Sequence, residues 1–126
     1  MTYLLDVSTL LALLWDLHVH NERVTRWQSK ASLAVCPLTE LGFLRISTHP
    51  SFGASVPEAR RMLRDWKAAQ KPKFVPCDVE ALDTDEPPTG TGTTDFYFAG
   101  LAARHGMQLA TLDEGIGHKA VFLIPD

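Results

Sequence analysis

Short apolar runs alternate with longer segments of helical periodicity along this chain. Runs that are too short for a helix and are bounded by turn residues predict buried strands. The predicted strands are residues 2–5, 33–36, 73–76, 108–112 and 120–124. Apolar residues at helical spacing, preceded by capping residues, predict helices between these strands. The predicted helices are 9–17 with Ser8 as N-cap, 21–29, 37–47, 57–70 and a last one that starts near Thr93 or Thr94 and ends at His105.

The order of these elements predicts the fold class. Strands that alternate with helices imply βαβ units, and therefore a mainly parallel sheet with helices on both faces. We expect an α/β fold with a five-stranded sheet. A chain of 126 residues can form one compact domain and is too short for two ordinary ones, so we expect a single domain over 1–126. Residues 83–93 are rich in Asp, Pro, Gly and Thr and predict a flexible loop.

Composition narrows the class of protein. Hydrophobic residues make up 45% and charged residues 21%, which is typical of a globular protein, and the net charge of −3 argues against a strongly basic nucleic-acid coat protein. A nuclease with its acids concentrated in one pocket remains compatible with this charge. No apolar run reaches the length of a membrane span and no secretory leader opens the chain, so we expect a cytoplasmic protein. Cys36 and Cys77 then read as buried free thiols.

Four carboxylates lie where the pattern predicts strand ends and helix starts. Asp6 and Asp113 follow apolar strands, and Glu40 and Asp95 fall in the first turns of helices. In parallel sheets these positions meet at one edge, where ligands bind. No Lys or Arg lies within four positions of Asp6, Asp95 or Asp113. Because an unpaired carboxylate near a core is costly, the four acids indicate a shared site that is protonated, paired or metal-bound.

Each acid taken alone has an ordinary explanation as a turn residue, a cap or a partner of a helix dipole. Together the four would repel strongly, and Mg²⁺ or Mn²⁺ would relieve that repulsion because both ions favour oxygen ligands. Such an ion can activate a bound water and orient a phosphate. The chemistry that needs these parts is hydrolysis of a phosphodiester bond.

The segments around the acids resemble a known family. LLDVSTLL at 4–11, LTEL at 38–41, TDFY at 94–97 and LATLD at 109–113 are similar, in order and spacing, to the four acidic motifs of PIN domains. The resemblance is strongest to the VapC toxins of bacterial and archaeal toxin–antitoxin pairs, and it covers essentially the whole chain.

The resemblance implies a three-layer α/β/α sandwich and an endoribonuclease that depends on Mg²⁺ or Mn²⁺. It also implies a homodimer, an RNA substrate and a small antitoxin protein that blocks the site. Several residues carry over by motif match. Asp6, Glu40, Asp95 and Asp113 match the catalytic, metal-binding acids. The hydroxyl residues that support them would be Ser8 and Thr111.

The chain departs from the family pattern in two places. Family members often carry basic or aromatic polar residues in the loop before the third acid, whereas here residues 83–86 are mostly acidic. Phe96 and Phe98 also make the third motif unusually apolar.

Two other functions compete with a nuclease. A phosphatase or phosphotransfer domain would want a second acid close to Asp6 and a Lys after a late strand, but residue 8 is Ser and Lys119 precedes the last predicted strand. A non-catalytic binding module is the third possibility, and the presence of all four acids disfavours it.

The predicted helix 57–70 carries a basic stripe that is a candidate RNA contact. Arg60, Arg64 and Lys67 recur at helical spacing, with Lys71 beyond them and Asp65 only at the margin. Amphipathic helices often expose bases simply as a solvated face. In an acidic protein, however, one concentrated basic face next to a negative pocket is what a phosphate backbone requires.

Overall fold

The structure, a computed structural model, describes residues 1–126 and has a five-stranded parallel sheet at its centre. The strand order is β3-β2-β1-β4-β5, and every neighbouring pair is parallel. The strands are β1 (Thr2–Leu5), β2 (Ser32–Val35), β3 (Lys73–Phe74), β4 (Gln108–Thr111) and β5 (Val121–Leu123). The predicted α/β class with five parallel strands is confirmed.

Five α-helices connect these strands, with two short 3₁₀ turns before the last helix. The helices are α1 (Val7–Leu14), α2 (Asn21–Gln28), α3 (Pro37–Ser47), α4 (Val56–Gln70) and α5 (Thr93–Arg104). The 3₁₀ turns are Ala81–Asp83 and Gly90–Gly92, and they lie in the segment predicted as a loop and its border. None of the five helices has the length and hydrophobicity needed to span a membrane.

The sheet separates two hydrophobic cores because side chains alternate along each strand. Leu5 of β1 packs with buried residues of α1 to α4, such as Phe43 and Leu63. Its neighbour Leu4 points the other way and packs with α5, including Phe98. Four helices therefore cover one face of the sheet and α5 covers the other, which confirms the three-layer α/β/α sandwich.

Three local predictions were wrong. Helix α1 begins at Val7 and not at Thr9, because the side chain of Asp6, rather than Ser8, accepts the N–H of the first turn. The helix also ends at Leu14 instead of residue 17. Cys77 is exposed, because the short edge strand β3 ends at Phe74 and the chain has left the sheet by residue 77; both cysteines are free.

The first turn of α1 and the second turn of α3 approach each other closely. Gly42 of α3 faces Val7 of α1, and a Cβ atom at position 42 would lie 2.9 Å from Val7 Cγ1 and closer still to Cγ2. Real Cβ atoms do not tolerate such contacts without displacement of the neighbour. The absence of a side chain at Gly42 therefore sets the distance between the start of α1, next to Asp6, and the helix that carries Glu40.

We expect Gly42→Ala to destabilise the fold. Alanine favours a helix over glycine by about 1 kcal/mol, but overpacking a close contact costs about 1–3 kcal/mol. Chemical denaturation should show a lower free energy of unfolding for Gly42→Ala. Gly90→Ala is the control, because nothing lies within 4 Å of the added Cβ. The double variant Val7→Ala, Gly42→Ala should recover part of the loss, and a stability gain in Gly42→Ala alone would contradict the steric argument.

Candidate active site

Asp6 occupies the junction between the central strand and the first helix. It directly follows β1 and is the N-cap of α1, with a relative exposure of 6%. Its Oδ1 accepts the backbone N–H of Thr9 at 2.9 Å, and its Oδ2 accepts the hydroxyl of Thr111 at 2.6 Å. The carboxylate is therefore fixed from α1 on one side and from β4 on the other.

Burial raises the pKa of Asp6 above its ordinary value. Loss of solvation is the largest cause, and the negative charge of Asp113 adds to it. The hydrogen bonds from Thr111 and Thr9 act in the opposite direction, because they stabilise the charged form, but they do not cancel the effect of burial.

Asp95 and Asp113 complete a cluster of three coupled aspartates. Asp95 lies half-buried in the first turn of α5, and its pKa is raised first by burial and then by the charges of Asp6 and Asp113. Asp113 is exposed beyond β4; its N–H donates to Thr111 Oγ1 at 3.0 Å, and its Oδ1 accepts the N–H of Gly115 at 2.7 Å. None of the three aspartates forms an ion pair within the chain.

Asp95 and Asp113 also line a shallow cleft of about 290 Å³ beside α5. Glycines and threonines from the loops before α5 and after β4 form much of its wall. The lining residues are Pro88, Thr89, Thr91, Gly92, Asp95, Phe96, Asp113, Gly115, Ile116 and Gly117. Asp6 does not line this cleft.

Glu40, the fourth predicted acid, has a different environment. It lies in the first turn of α3, which is anchored to β1 because the buried hydroxyl of Thr39 donates to the carbonyl of Leu5 at 2.8 Å. The Glu40 carboxylate accepts a hydrogen bond from Lys67 of α4 and forms an ion pair with it. Glu40 is not among the charges that raise the pKa of Asp95. In the structure, the three aspartates interact electrostatically with one another, whereas Glu40 is paired with Lys67.

The predicted basic residues line a groove between α3 and α4. This groove has a volume of about 490 Å³, and its floor includes Leu44 and Leu63. Its polar lining consists of Glu40, Arg60, Arg64 and Lys67. Arg60 and Arg64 are exposed and form no ion pair, whereas Lys67 is occupied by Glu40. Lys71 ends α4 in a left-handed conformation and does not line the groove.

The donor set has the chemistry of a site for a hard divalent cation. Three carboxylates without a basic partner, two of them with raised pKa values, are what Mg²⁺ or Mn²⁺ would stabilise. In the structure no three His, Cys, Asp or Glu side chains lie close enough together to enclose an ion. These carboxylate oxygens are of the type that hard divalent cations bind, but they do not form a closed coordination shell.

Of the two predicted supporting residues, the structure gives only Thr111 a contact with the acids. Ser8 is exposed and its hydroxyl makes no hydrogen bond within the chain, whereas the neighbouring Thr9 is fully buried. The hydroxyl of Thr9 donates to the carbonyl of Ala110 at 3.3 Å, next to the N–H contact with Asp6. Sequence reasoning missed Thr9, although its place three residues after an N-cap acid is the signal that identifies it.

The acidic loop before α5 lies against the connection between β4 and β5. Asp85 Oδ2 lies 2.9 Å from Nε2 of the buried His118, at an angle that does not make a hydrogen bond. The other ring nitrogen of His118 accepts the N–H of Ala120 at 3.0 Å, and the ring packs edge-on against Phe96 at 5.1 Å. One of the loop's negative charges is thus held at the β4–β5 connection.

Comparison with known proteins is consistent with this geometry. The family model for the PIN domain matches residues 3–121. The chain is 41% identical to ribonuclease VapC38 of Mycobacterium tuberculosis over 122 residues, which are 90% of this chain and 86% of the relative. It is 34% identical to ribonuclease VapC39 over 95% of this chain and 94% of the relative, and 34% identical to ribonuclease VapC29 over 94% and 90%. The chain therefore belongs to the PIN-domain family and, within it, to the VapC type.

Proposed function

We propose that this protein is a metal-dependent endoribonuclease that acts as the toxin of a toxin–antitoxin pair. The observation that carries the proposal is the cluster of Asp6, Asp95 and Asp113 on the carboxyl side of the sheet, without any basic partner. Family membership supports it, because the curated relatives are ribonucleases of the VapC type. The substrate class is RNA, and the bond broken is a phosphodiester.

The chain's own residues supply binding and orientation. Asp6, Asp95 and Asp113 would hold Mg²⁺ or Mn²⁺, with Glu40 as the fourth carboxylate. When bound, the ion supplies charge stabilisation at the phosphate and lowers the pKa of a bound water. Thr9 and Thr111 act as positioning residues, because they fix the two oxygens of Asp6. Their hydrogen bonds keep the buried carboxylate oriented towards the cluster.

The partners follow from the family. A VapC-type toxin implies a small cognate antitoxin that blocks the site, and we propose one for this chain together with a homodimeric state. The acidic cluster would attract a basic side chain of the antitoxin, and the groove between α3 and α4, with its leucine floor, suits an apolar helix. An enzyme acting on cellular RNA would work in the cytoplasm.

Asp6→Asn and Asp95→Asn should each abolish RNA cleavage. Each change removes a carboxylate that would bind the ion, so we expect a loss of at least about 100-fold, the scale of losing one essential catalytic group. Asparagine caps helices as well as aspartate, so Asp6→Asn should still fold. The measurement is cleavage of a mixed RNA with added Mg²⁺ or Mn²⁺, with and without chelator.

Asp65→Asn is the matched control, because Asp65 is exposed on α4. Growth provides a second readout: expression of the wild-type chain should arrest bacterial growth, and the Asp6→Asn chain should not. Full cleavage by Asp95→Asn, or cleavage that persists in excess chelator, would contradict the proposed mechanism and favour a nuclease activity that needs neither Asp95 nor the ion.

In the metal-free protein, the contribution of Asp6 and Asp95 to stability should fall as the pH rises. The pKa values of Asp6 and Asp95 are raised in the folded state. Their favourable contribution to the free energy of unfolding is therefore complete below the pKa of an aspartate in the unfolded state, about 3.9. It is lost as the pH rises through the pKa values of the folded state. In chelator, Asp95→Asn should raise the melting temperature relative to wild type more at pH 8 than at pH 4. An equal change in melting temperature at pH 4 and pH 8 for Asp95→Asn would remove the electrostatic argument.

We also propose that the basic wall of the α3–α4 groove contacts RNA phosphates. Arg60 and Arg64 are exposed and unpaired, and they line the same groove as Glu40. Their positive charge lies in the same groove as Glu40 and would attract a polyanion. A phosphate backbone that crosses this groove could place a bond near the carboxylates while its flanking phosphates meet the arginines.

Charge reversal at both arginines, Arg60→Glu with Arg64→Glu, should weaken RNA binding and reduce its salt dependence. Removing two phosphate contacts lowers the slope of log affinity against log salt by roughly 1.4 for a single strand. Thermal stability should change little, because both side chains are exposed. The control is Arg26→Glu, because Arg26 is exposed on α2 and does not line the groove. Unchanged RNA affinity at every salt concentration would show that the stripe is only a solvated face.

A further inference from the structure

Lys67 has a contact that distinguishes it from the other bases of the groove. Its ammonium is paired with the carboxylate of Glu40, and it also lies 5.6 Å from the centre of the Phe74 ring. The exposed fractions of the two charged side chains are 37% for Lys67 and 18% for Glu40. The pair is therefore partly shielded from solvent, and the lysine is held by partners from two different elements.

This pairing divides the four carboxylates into two groups. Asp6, Asp95 and Asp113 have no counter-ion in the chain, and the pKa of Asp95 is raised first by burial and then by repulsion from the other two. Glu40 has a counter-ion already in contact with one carboxylate oxygen. A divalent cation that recruits Glu40 must compete with the ammonium, since two cations next to the same carboxylate repel each other.

No other base in or next to α4 forms an ion pair with Glu40. Arg60 and Arg64 line the groove without pairing with Glu40, and neither Arg61 nor Lys71, the C-cap of α4, lines the groove. Lysine suits an exchangeable contact because its ammonium is a compact charge on a flexible stem, whereas arginine tends to form fixed bidentate pairs. The chemistry and the placement thus both point to Lys67.

We propose that Lys67 is a positioning residue that holds Glu40 apart from the aspartate cluster and competes with the divalent ion for it. The proposal rests on the function proposed above. Lys67 thereby lowers the affinity of the site for the ion, and it is released from Glu40 when the ion binds. The freed ammonium, at the edge of the groove, is then available to an RNA phosphate.

The test is the affinity of the purified protein for Mn²⁺ alone, without RNA, followed by the electron paramagnetic resonance signal of free Mn²⁺. Lys67→Met keeps the apolar stem and removes the charge. Because partly exposed ion pairs are worth up to about 1 kcal/mol, the variant should bind Mn²⁺ roughly two- to fivefold more tightly. Arg64→Met removes the same charge from the same groove and is the matched control, with a smaller expected effect. Lys67→Arg restores the charge and should bind no more tightly than wild type.

A double-mutant cycle identifies the partner. In a Glu40→Gln background, Lys67→Met should no longer tighten Mn²⁺ binding, because the carboxylate for which the two cations compete is gone. Unchanged or weaker binding by Lys67→Met overturns the proposal, and so does an equal gain in the Glu40→Gln background or in Arg64→Met. Circular dichroism and melting curves of each variant establish that the comparison is made between folded proteins.

Asp6→Asn separates failure of this inference from failure of the proposed function. If Asp6→Asn abolishes Mn²⁺ binding and Lys67→Met has no effect, the metal site stands and only the role of Lys67 is wrong. If Mn²⁺ binds wild type and Asp6→Asn equally, both the role of Lys67 and the metal-dependent mechanism are wrong.

Discussion

The buried carboxylate of Asp6 is the constraint around which this site is organised. It ends the central strand, caps the first helix and receives the hydroxyl of Thr111 from the neighbouring strand. These contacts orient the carboxylate without neutralising it, and its pKa remains raised because desolvation outweighs the hydrogen bonds. A buried charge without a partner is a cost to the fold. The fold retains that cost at the carboxyl edge of the sheet, beside Asp95 and Asp113.

The remaining elements of the site are fixed relative to this point. Thr39 ties the start of α3 to the last carbonyl of β1, and Gly42 lets α3 approach Val7 of α1. Both contacts place Glu40 near Asp6 in the fold, although the Glu40 carboxylate is paired with Lys67. The result is an electrostatic division between an acidic cluster without cations and a groove whose wall is basic. The net charge of −3 does not show this division, because it is the sum of the charges in both regions.

The departures of this chain from the pattern of its family leave the acidic cluster intact. The acidic segment before α5 does not extend freely over the cleft, because Asp85 is held beside His118. Phe96, which made the third motif unusually apolar, is buried and packs against the same histidine. The apolar residue next to Asp95 therefore anchors the start of α5. This packing accounts for a phenylalanine beside a half-buried acid.

The sequence by itself determined the features that depend on local pattern. The strand Thr2–Leu5 and the helix Pro37–Ser47 were predicted at their observed bounds, because an apolar run and a proline in the first helical turn are local signals. The order of elements determined the parallel sheet, and four short motifs indicated the family. The acids themselves could be selected because they interrupt apolar patterns.

Only the tertiary structure decided which of these residues meet. Asp6 and Ser8 are both good N-caps by type, and the choice between them depends on the orientation that β1 gives to the chain. The exposure of Cys77 follows from the position of β3 at the edge of the sheet. Thr111 lies 105 positions from Asp6, and Lys67 lies 27 positions from Glu40. Hydrogen bonds and ion pairs act over a few ångströms in space, so no local pattern could predict these pairings.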